Sequence, residues 1–171
     1  DHFRLEGLAY RLVPLKFPSN ENPNILGSIG TDIMYENVME KWHWGNMDDV
    51  ENGIYMDENN RRMATNLRLQ LSNLASAFVR DGVPSKGLEV VELLCRSIPS
   101  HNVPFDRIML PAVELLAELA GDSRLTKEQT DLAGALAQQV GTELFETLTN
   151  DVAYYIALDD AYYATASSEI K

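Results

Sequence analysis

From Thr31 onward the apolar positions of this chain fall into helical register. Met34, Tyr35, Val38 and Trp42 make a first stripe, opened by Thr31 as a cap and ended by Gly45 and Asn46. A polar connection, Met47 to Met56, leads to Asp57, an N-cap residue type, and then to a long amphipathic helix. Met63, Leu67, Leu71, Leu74 and Phe78 line its apolar face, and Arg62, Asn66, Arg68, Asn73 and Arg80 are expected to point elsewhere. Asp81-Gly82 stops it. Pro84 then suits a first helical position, where its missing N–H costs nothing, and Leu88, Val91, Leu94, Cys95 and Ile98 run up to Pro99.

Two further helical runs follow. The pattern from Asp106 to Ala120 contains Pro111, which fits only a first turn and moves the predicted start toward Leu110. Thr126 with Gln129 forms a capping box for a helix to about Thr147. Asn150 or Asp151 would cap a sixth helix bearing Val152, Tyr155, Ile156 and Tyr163. Before residue 31 the pattern is ambiguous: Leu5, Leu8, Ala9 and Leu12 have helical spacing, while Tyr10, Leu12 and Pro14 alternate like a strand. Pro14, Pro18 and Pro23, with Ser19, Asn20, Asn22 and Asn24, mark an irregular stretch, so residues 1–30 read as a linker or an arm over the helical part. The expected fold is all-α, with antiparallel hairpins over 31–171 and that irregular N-terminal arm.

Internal repetition sharpens this expectation. The tetratricopeptide pattern, W-x2-L-G-x2-Y…A-x3-F…P over 34 residues, sets small residues where two antiparallel helices approach and large ones between them. Leu71-x2-Leu74-Ala75-x2-Phe78, then Gly87-x3-Val91 and Pro99, keep its offsets, with Gly82 at the turn. Leu110-x2-Val113, Ala117 and Gly121 make a looser second copy, in which Glu114 stands where a small residue is wanted. One good and one degraded copy predict a short right-handed stack of hairpins, and the alternative is a bundle that matches by chance.

Charge narrows the partners. Fourteen Lys plus Arg against twenty-six Asp plus Glu leave −12 over 171 residues, which argues against nucleic acid or an anionic lipid surface as the main partner. A chain 45% hydrophobic and 23% charged suits a globular domain. No apolar run spans a membrane, since Glu114 and Glu118 break the best one, Leu110 to Gly121, so direct insertion by this chain is not expected. The chain opens on Asp1 without a signal-peptide pattern and reads as an excised piece.

Catalytic chemistry is not expected. Cys95, the single cysteine, sits within an apolar run and reads as a small buried hydrophobe. His2, His43 and His101 are isolated, and Asp57-Glu58-Asn59-Asn60-Arg61 departs from a calcium loop at its fifth and sixth positions. Asp48-Asp49, Asp57-Glu58 and Asp159-Asp160 are adjacent carboxylates whose side chains diverge on a helix, so they read as caps and solvated charge. No phosphate-cradling loop, dinucleotide fingerprint or nucleophile elbow occurs, and no cofactor is implied. The aromatic pairs Trp42/Trp44, Tyr154/Tyr155 and Tyr162/Tyr163 each divide between a core ring and an outward one. Trp44 and Tyr154, least in phase with their apolar stripes, are the candidate contacts for a peptide or a sugar.

The run Arg4-Leu5-Glu6-Gly7-Leu8-Ala9-Tyr10-Arg11-Leu12-Val13-Pro14 resembles a segment after the transmembrane part of large Bacteroidetes membrane proteins. Those proteins are similar to protein O-mannosyltransferases and are carried as a family of unknown function. Thr31-Asp32-Ile33-Met34-Tyr35, Trp44-Gly45-Asn46-Met47, Asp57-Glu58-Asn59 and Arg61-Arg62-Met63 look like later landmarks, and the resemblance runs to about Pro104, with Tyr154-Tyr155 as a last one. It implies a domain on the extracytoplasmic, periplasmic side of a bacterial inner membrane, attached to a glycosyltransferase-like transmembrane region. Catalytic residues in such proteins belong to the membrane part, so none is carried over. The expected role is a non-catalytic interaction domain for an acceptor protein or partner subunit. The alternatives are a glycan-contacting accessory domain and a structural or dimerising cap.

Overall fold

The computed structural model describes residues 2–17 and 26–157. Pro18, Pro23, Asp159-Asp160 and the Tyr162/Tyr163 pair lie outside them. Described residues before Thr31 contribute three short strands, β1 (Phe3–Leu5), β2 (Tyr10–Leu12) and β3 (Ser28–Ile29). The small sheet has order β2-β1-β3: β1 pairs antiparallel with β2, Leu5 opposite Tyr10, and parallel with β3, Leu5 opposite Ile29. The strand alternative was therefore the right one for this segment. Gly27 makes the sheet possible, because it has φ +73° and a Cβ there would run into the carbonyl oxygen of Phe3. Leu5, 2% exposed, joins the same core as Met34 and Val38, so the sheet packs on the helical body.

The remainder is helical: α1 (Thr31–Glu36), α2 (Glu58–Arg80), α3 (Pro84–Ser97), α4 (Leu110–Ala120) and α5 (Lys127–Ala157). Their ends follow local chemistry. Asp57 caps α2 by accepting from Asn60 N–H at 2.8 Å. The Thr126–Gln129 box forms in both directions, at 3.0 and 3.3 Å. Pro84 opens α3, and Pro111 sits in the first turn of α4, which starts at Leu110 as Pro111 required.

Several expectations need correction, the first being Met63, set on the apolar face of α2 but 65% exposed. Thr31 does not cap α1: Gly30 holds that position without a side-chain bond, its N–H donating to Leu5 O at 2.8 Å as the chain leaves the sheet. The helix then widens into a π-turn, Asn37–Lys41, and stops, leaving Trp42 extended at ψ 139° rather than on a helical stripe. In α4 the buried stripe is Ala112, Leu115, Leu116 and Leu119, while Leu110 is 45% exposed and Ala117 is exposed, so the second repeat copy was set in the wrong register. Finally, α5 runs unbroken through Asn150 and Asp151, because nothing between Gly141 and Ala157 interrupts it.

α2 turns at Asp81-Gly82, where Gly82 takes φ +84°, and α3 packs back along it; α4 and α5 pack on each other in the same way. The pairs meet through contacts of α3 with both α4 and α5. Leu71, Leu74, Phe78, Leu88, Val91 and Leu94 of the first pair, and Met109, Leu116, Leu119, Val140 and Leu144 of the second, share one core. Each such side chain contributes about 1.5–3 kcal/mol by leaving water. A smaller cluster, Ala64, Ile98 and Val103, sits beneath Trp44, Met47, Met56 and Leu67.

Candidate functional site

Several open surfaces flank the hairpins. Ser76, Val79 and Arg80 of α2 face Pro111, Glu114, Leu115 and Glu118 of α4 across a cleft of about 330 Å³. The spacing on each helix is i, i+3, i+4, so each wall is one helical edge. Val79 and Leu115 are buried in the floor, while Arg80, Glu114 and Glu118 are exposed on the rim. That arrangement offers an apolar strip with hydrogen-bonding and charged groups beside it, and no paired nucleophile and base.

A larger opening, about 700 Å³, lies between the start of α2, the 103–106 segment and α5. Glu58, Arg61, Arg62, Asp106 and Asp151 line it, so its charges nearly balance. A third, about 480 Å³, is bounded by Glu6 to Arg11, Asn37 and Trp42. Glu6, 8% exposed, is held there by Arg4 and by Arg11 Nε at 2.9 Å, and its backbone oxygen accepts from Asn37 Nδ2 at 2.7 Å.

The seven repeat positions come together on one hairpin. Leu71, Leu74, Ala75, Phe78 and Val91 are buried on its inner side, and Pro99 ends it half-buried. Gly87 marks the closest approach: a Cβ there would lie 2.9 Å from Val79 Cγ2 and 3.0 Å from the Ala75 carbonyl oxygen. Trp44 and Tyr154 are not joined in one site. Trp44 is half-buried over the smaller cluster with its ring 5.5 Å from that of Trp42, so its apolar body is used in packing. Tyr154 is 63% exposed, edge-on to Tyr155 at 5.4 Å.

Several buried polar groups escaped the sequence reading, among them Asn73, expected to point away from the apolar face of α2 but 7% exposed. Arg68, expected to face outward, is fully buried. Its guanidinium donates to Ile98 O at 2.8 Å, Pro104 O at 3.0 Å and Pro99 O at 3.4 Å, and also to Val103 O, while Nε has no partner. Burial lowers it to about 10, still a cation at neutral pH. Its spacing was the missed signal, because Arg68, Leu71 and Ala75 follow i, i+3, i+7. Asn102 was missed too: Nδ2 donates to Met47 O and Asp49 O at 2.9 and 2.8 Å, and Oδ1 accepts from Ile54 N at 3.0 Å, fastening the 47–54 loop. Glu6 has no comparable signal, since its partners come from a sheet that the pattern left undecided.

Other titratable groups have structural settings. Cys95 is half-buried and desolvation pushes its thiol up to about 12, away from nucleophilic character. Asp49 accepts from the Asn52 side chain and backbone, and Asp122 from Arg124, and both carboxyls are held below the usual range. Among the described residues no group of three His, Cys, Asp or Glu side chains is arranged to hold a metal, and no helix is long and apolar enough to cross a membrane.

Neither the family models, the curated proteins nor the solved structures contain a match to this chain.

Proposed function

We propose that this chain is a non-catalytic protein-interaction domain, a tetratricopeptide-like stack of two hairpins whose α2–α4 cleft docks an extended peptide. The observation that carries the reading is the close approach of α3 to α2 at Gly87, a position the repeat pattern reserves for a small residue. Stacked helix pairs generate a concave surface, and the cleft runs along the first helix of each pair, where α2 and α4 face each other. An apolar floor with Arg80, Glu114 and Glu118 on the rim suits a segment that inserts apolar side chains and satisfies its backbone at the edges.

The resemblance carried by Arg4 to Pro14 supplies the setting for this proposal. The domain belongs on the periplasmic side of a bacterial inner membrane, attached to a glycosyltransferase-like parent, and the docked segment comes from an acceptor protein or a partner subunit. The test is a photo-crosslinking residue at Glu118 in the full-length parent, with the same residue at exposed Glu51 as control. An envelope protein captured from position 118 alone supports the reading, and equal capture at both positions, or none, overturns it. A glycan is the second reading, favoured by the exposed ring of Tyr154, which is free on its outer side to stack on a sugar. Glycan-array binding lost in Tyr154→Ala supports it; an array without signal removes it.

A further inference from the structure

α5 continues well beyond the surface it needs for packing. Its buried residues are Ala133, Val140 and Leu144, and none of the residues from Phe145 to Ala157 is fully buried. Phe145 is 72% exposed, Val152 44% and Ile156 71%. At about 100° per residue, these three fall within roughly 40° of arc, at i, i+7 and i+11, on a side turned away from the buried face. That is an apolar seam about 17 Å long, the length of three turns of a facing helix.

The charge around the seam is one-sided. Lys127 is the last Lys or Arg before Lys171, and no histidine follows His101, while Glu128, Asp131, Glu143, Glu146 and Asp151 all lie on α5. Glu146 stands about 100° from the seam on one side, and Asp151 about 120° on the other, at the opening it shares with the start of α2. Arg61 and Arg62 share the neighbouring opening with Asp151, but Glu58 and Asp106 line it too and offset them.

We propose that this face of α5 docks a cationic amphipathic helix of a partner protein, its apolar side on Phe145, Val152 and Ile156 and its Lys or Arg beside Glu146 and Asp151. A second copy of the chain would bring the same acidic flanks together, and an anionic lipid surface would be repelled. The remaining sequence, 158–171, carries Asp159, Asp160 and Glu169 against the single base Lys171, a net charge of −2, so it is not the cationic occupant. Helix-on-helix recognition with apolar anchors and opposite flanking charges is an established mode of peptide binding. The inference rests on reading the chain as an interaction domain, but it uses a surface separate from the α2–α4 cleft.

The test is titration of the full chain with a synthetic amphipathic Leu/Lys helix and with its Leu/Glu counterpart. The Leu/Lys helix is expected to bind saturably, less tightly as salt rises, and the Leu/Glu helix not at all. Phe145→Ser with Ile156→Ser, and separately Glu146→Lys with Asp151→Lys, are expected to weaken binding roughly tenfold or more. Asp48→Asn with Glu51→Gln, which removes as much charge from a remote loop, is expected to leave it unchanged. These positions are solvent-exposed, and circular dichroism of each variant checks that the fold persists. Equal binding of both peptides, equal loss in the remote-charge variant, self-association through the same residues, or equal seam-dependent binding to zwitterionic vesicles would overturn the proposal. Loss of binding only in Glu114→Gln with Glu118→Gln would overturn it in favour of the cleft. Absence of cleft crosslinks with intact seam dependence would instead remove the cleft reading and leave this one.

Discussion

The guanidinium of Arg68 lies 4.7 Å from the centre of the Phe105 ring, fully buried, with its two terminal nitrogens donating to backbone carbonyls of the segment that joins α3 to α4. A planar group with several fixed donors can serve four carbonyls at once while stacking on an aromatic face. The connection between the two hairpins is therefore tied to the middle of α2 by one side chain.

Arg68→Leu is expected to destabilise the fold by about 3–5 kcal/mol, because it takes the charged donor from the Ile98, Val103 and Pro104 carbonyls, while Pro99 O keeps the N–H groups of Asn102 and Val103. Arg68→Lys should recover only part of this, since one ammonium cannot reproduce the fork or the stacking. Urea unfolding of the three proteins checks the order, and equal stability of wild type and Arg68→Leu would refute the assigned role.

Gly87 sets the distance between α2 and α3. Gly87→Ala regains about 1 kcal/mol of helix propensity but forces a Cβ against Val79 and the Ala75 carbonyl, at an overpacking cost of about 1–3 kcal/mol. The expected net loss is about 1 kcal/mol, and Gly87→Val should lose more. Thermal denaturation reads it, and Gly134→Ala is the control, because a Cβ there lies at an ordinary 3.8 Å from Ala120.

The Asp57 cap predicts that Asp57→Ala costs about 1 kcal/mol and Asp57→Asn much less, since the acceptor to Asn60 N–H survives. Denaturant midpoints compared with Glu58→Gln separate loss of the cap from loss of charge.

Burial around Cys95 predicts a slow thiol. With its value pushed up to about 12, iodoacetamide should alkylate the native chain at neutral pH many-fold more slowly than the urea-unfolded chain. Equal rates would show that the α3–α5 contact opens readily.

Tyr35 donates its hydroxyl to Glu89, and desolvation together with that carboxylate raises it to about 12. A folded value above the unfolded one near 10 stabilises the fold fully below pH 10, and the contribution disappears as pH climbs from 10 to 12. Tyr35→Phe should flatten the alkaline part of a stability-against-pH curve and lower the neutral part by a pH-independent amount, because the hydroxyl that bonds Glu89 is gone.

The strand segment shows where pattern alone runs out. Phe3–Leu5 and Tyr10–Leu12 carry both periods because only three residues of each pair, too few for a period to declare itself. Their choice depends on Ser28–Ile29, distant in sequence, and on Gly27 admitting the Phe3 carbonyl. The open cleft between α2 and α4 was equally illegible, because the α4 stripe was read through Leu110, Val113, Leu116 and Ala117, and of these Leu116 alone is fully buried, beside Ala112, Leu115 and Leu119. Trp44, a candidate contact in the sequence, is half-buried against the smaller cluster, just before the loop that Asn102 fastens.

What this sequence determined by itself is where α2, α3, α4 and α5 begin and where α2, α3 and α4 stop. Asp57, Pro84, Pro111 and the Thr126–Gln129 box act on backbone groups within a few residues of themselves, so their effect is written in adjacent letters. The tertiary structure alone decided the burial of Arg68, the pairing of Glu6 with two arginines, the strand state of the first residues and the seam left bare on α5. Each depends on groups that are brought together from separate elements, and the free energy of a polar or apolar side chain is set by those neighbours rather than by its place in a period.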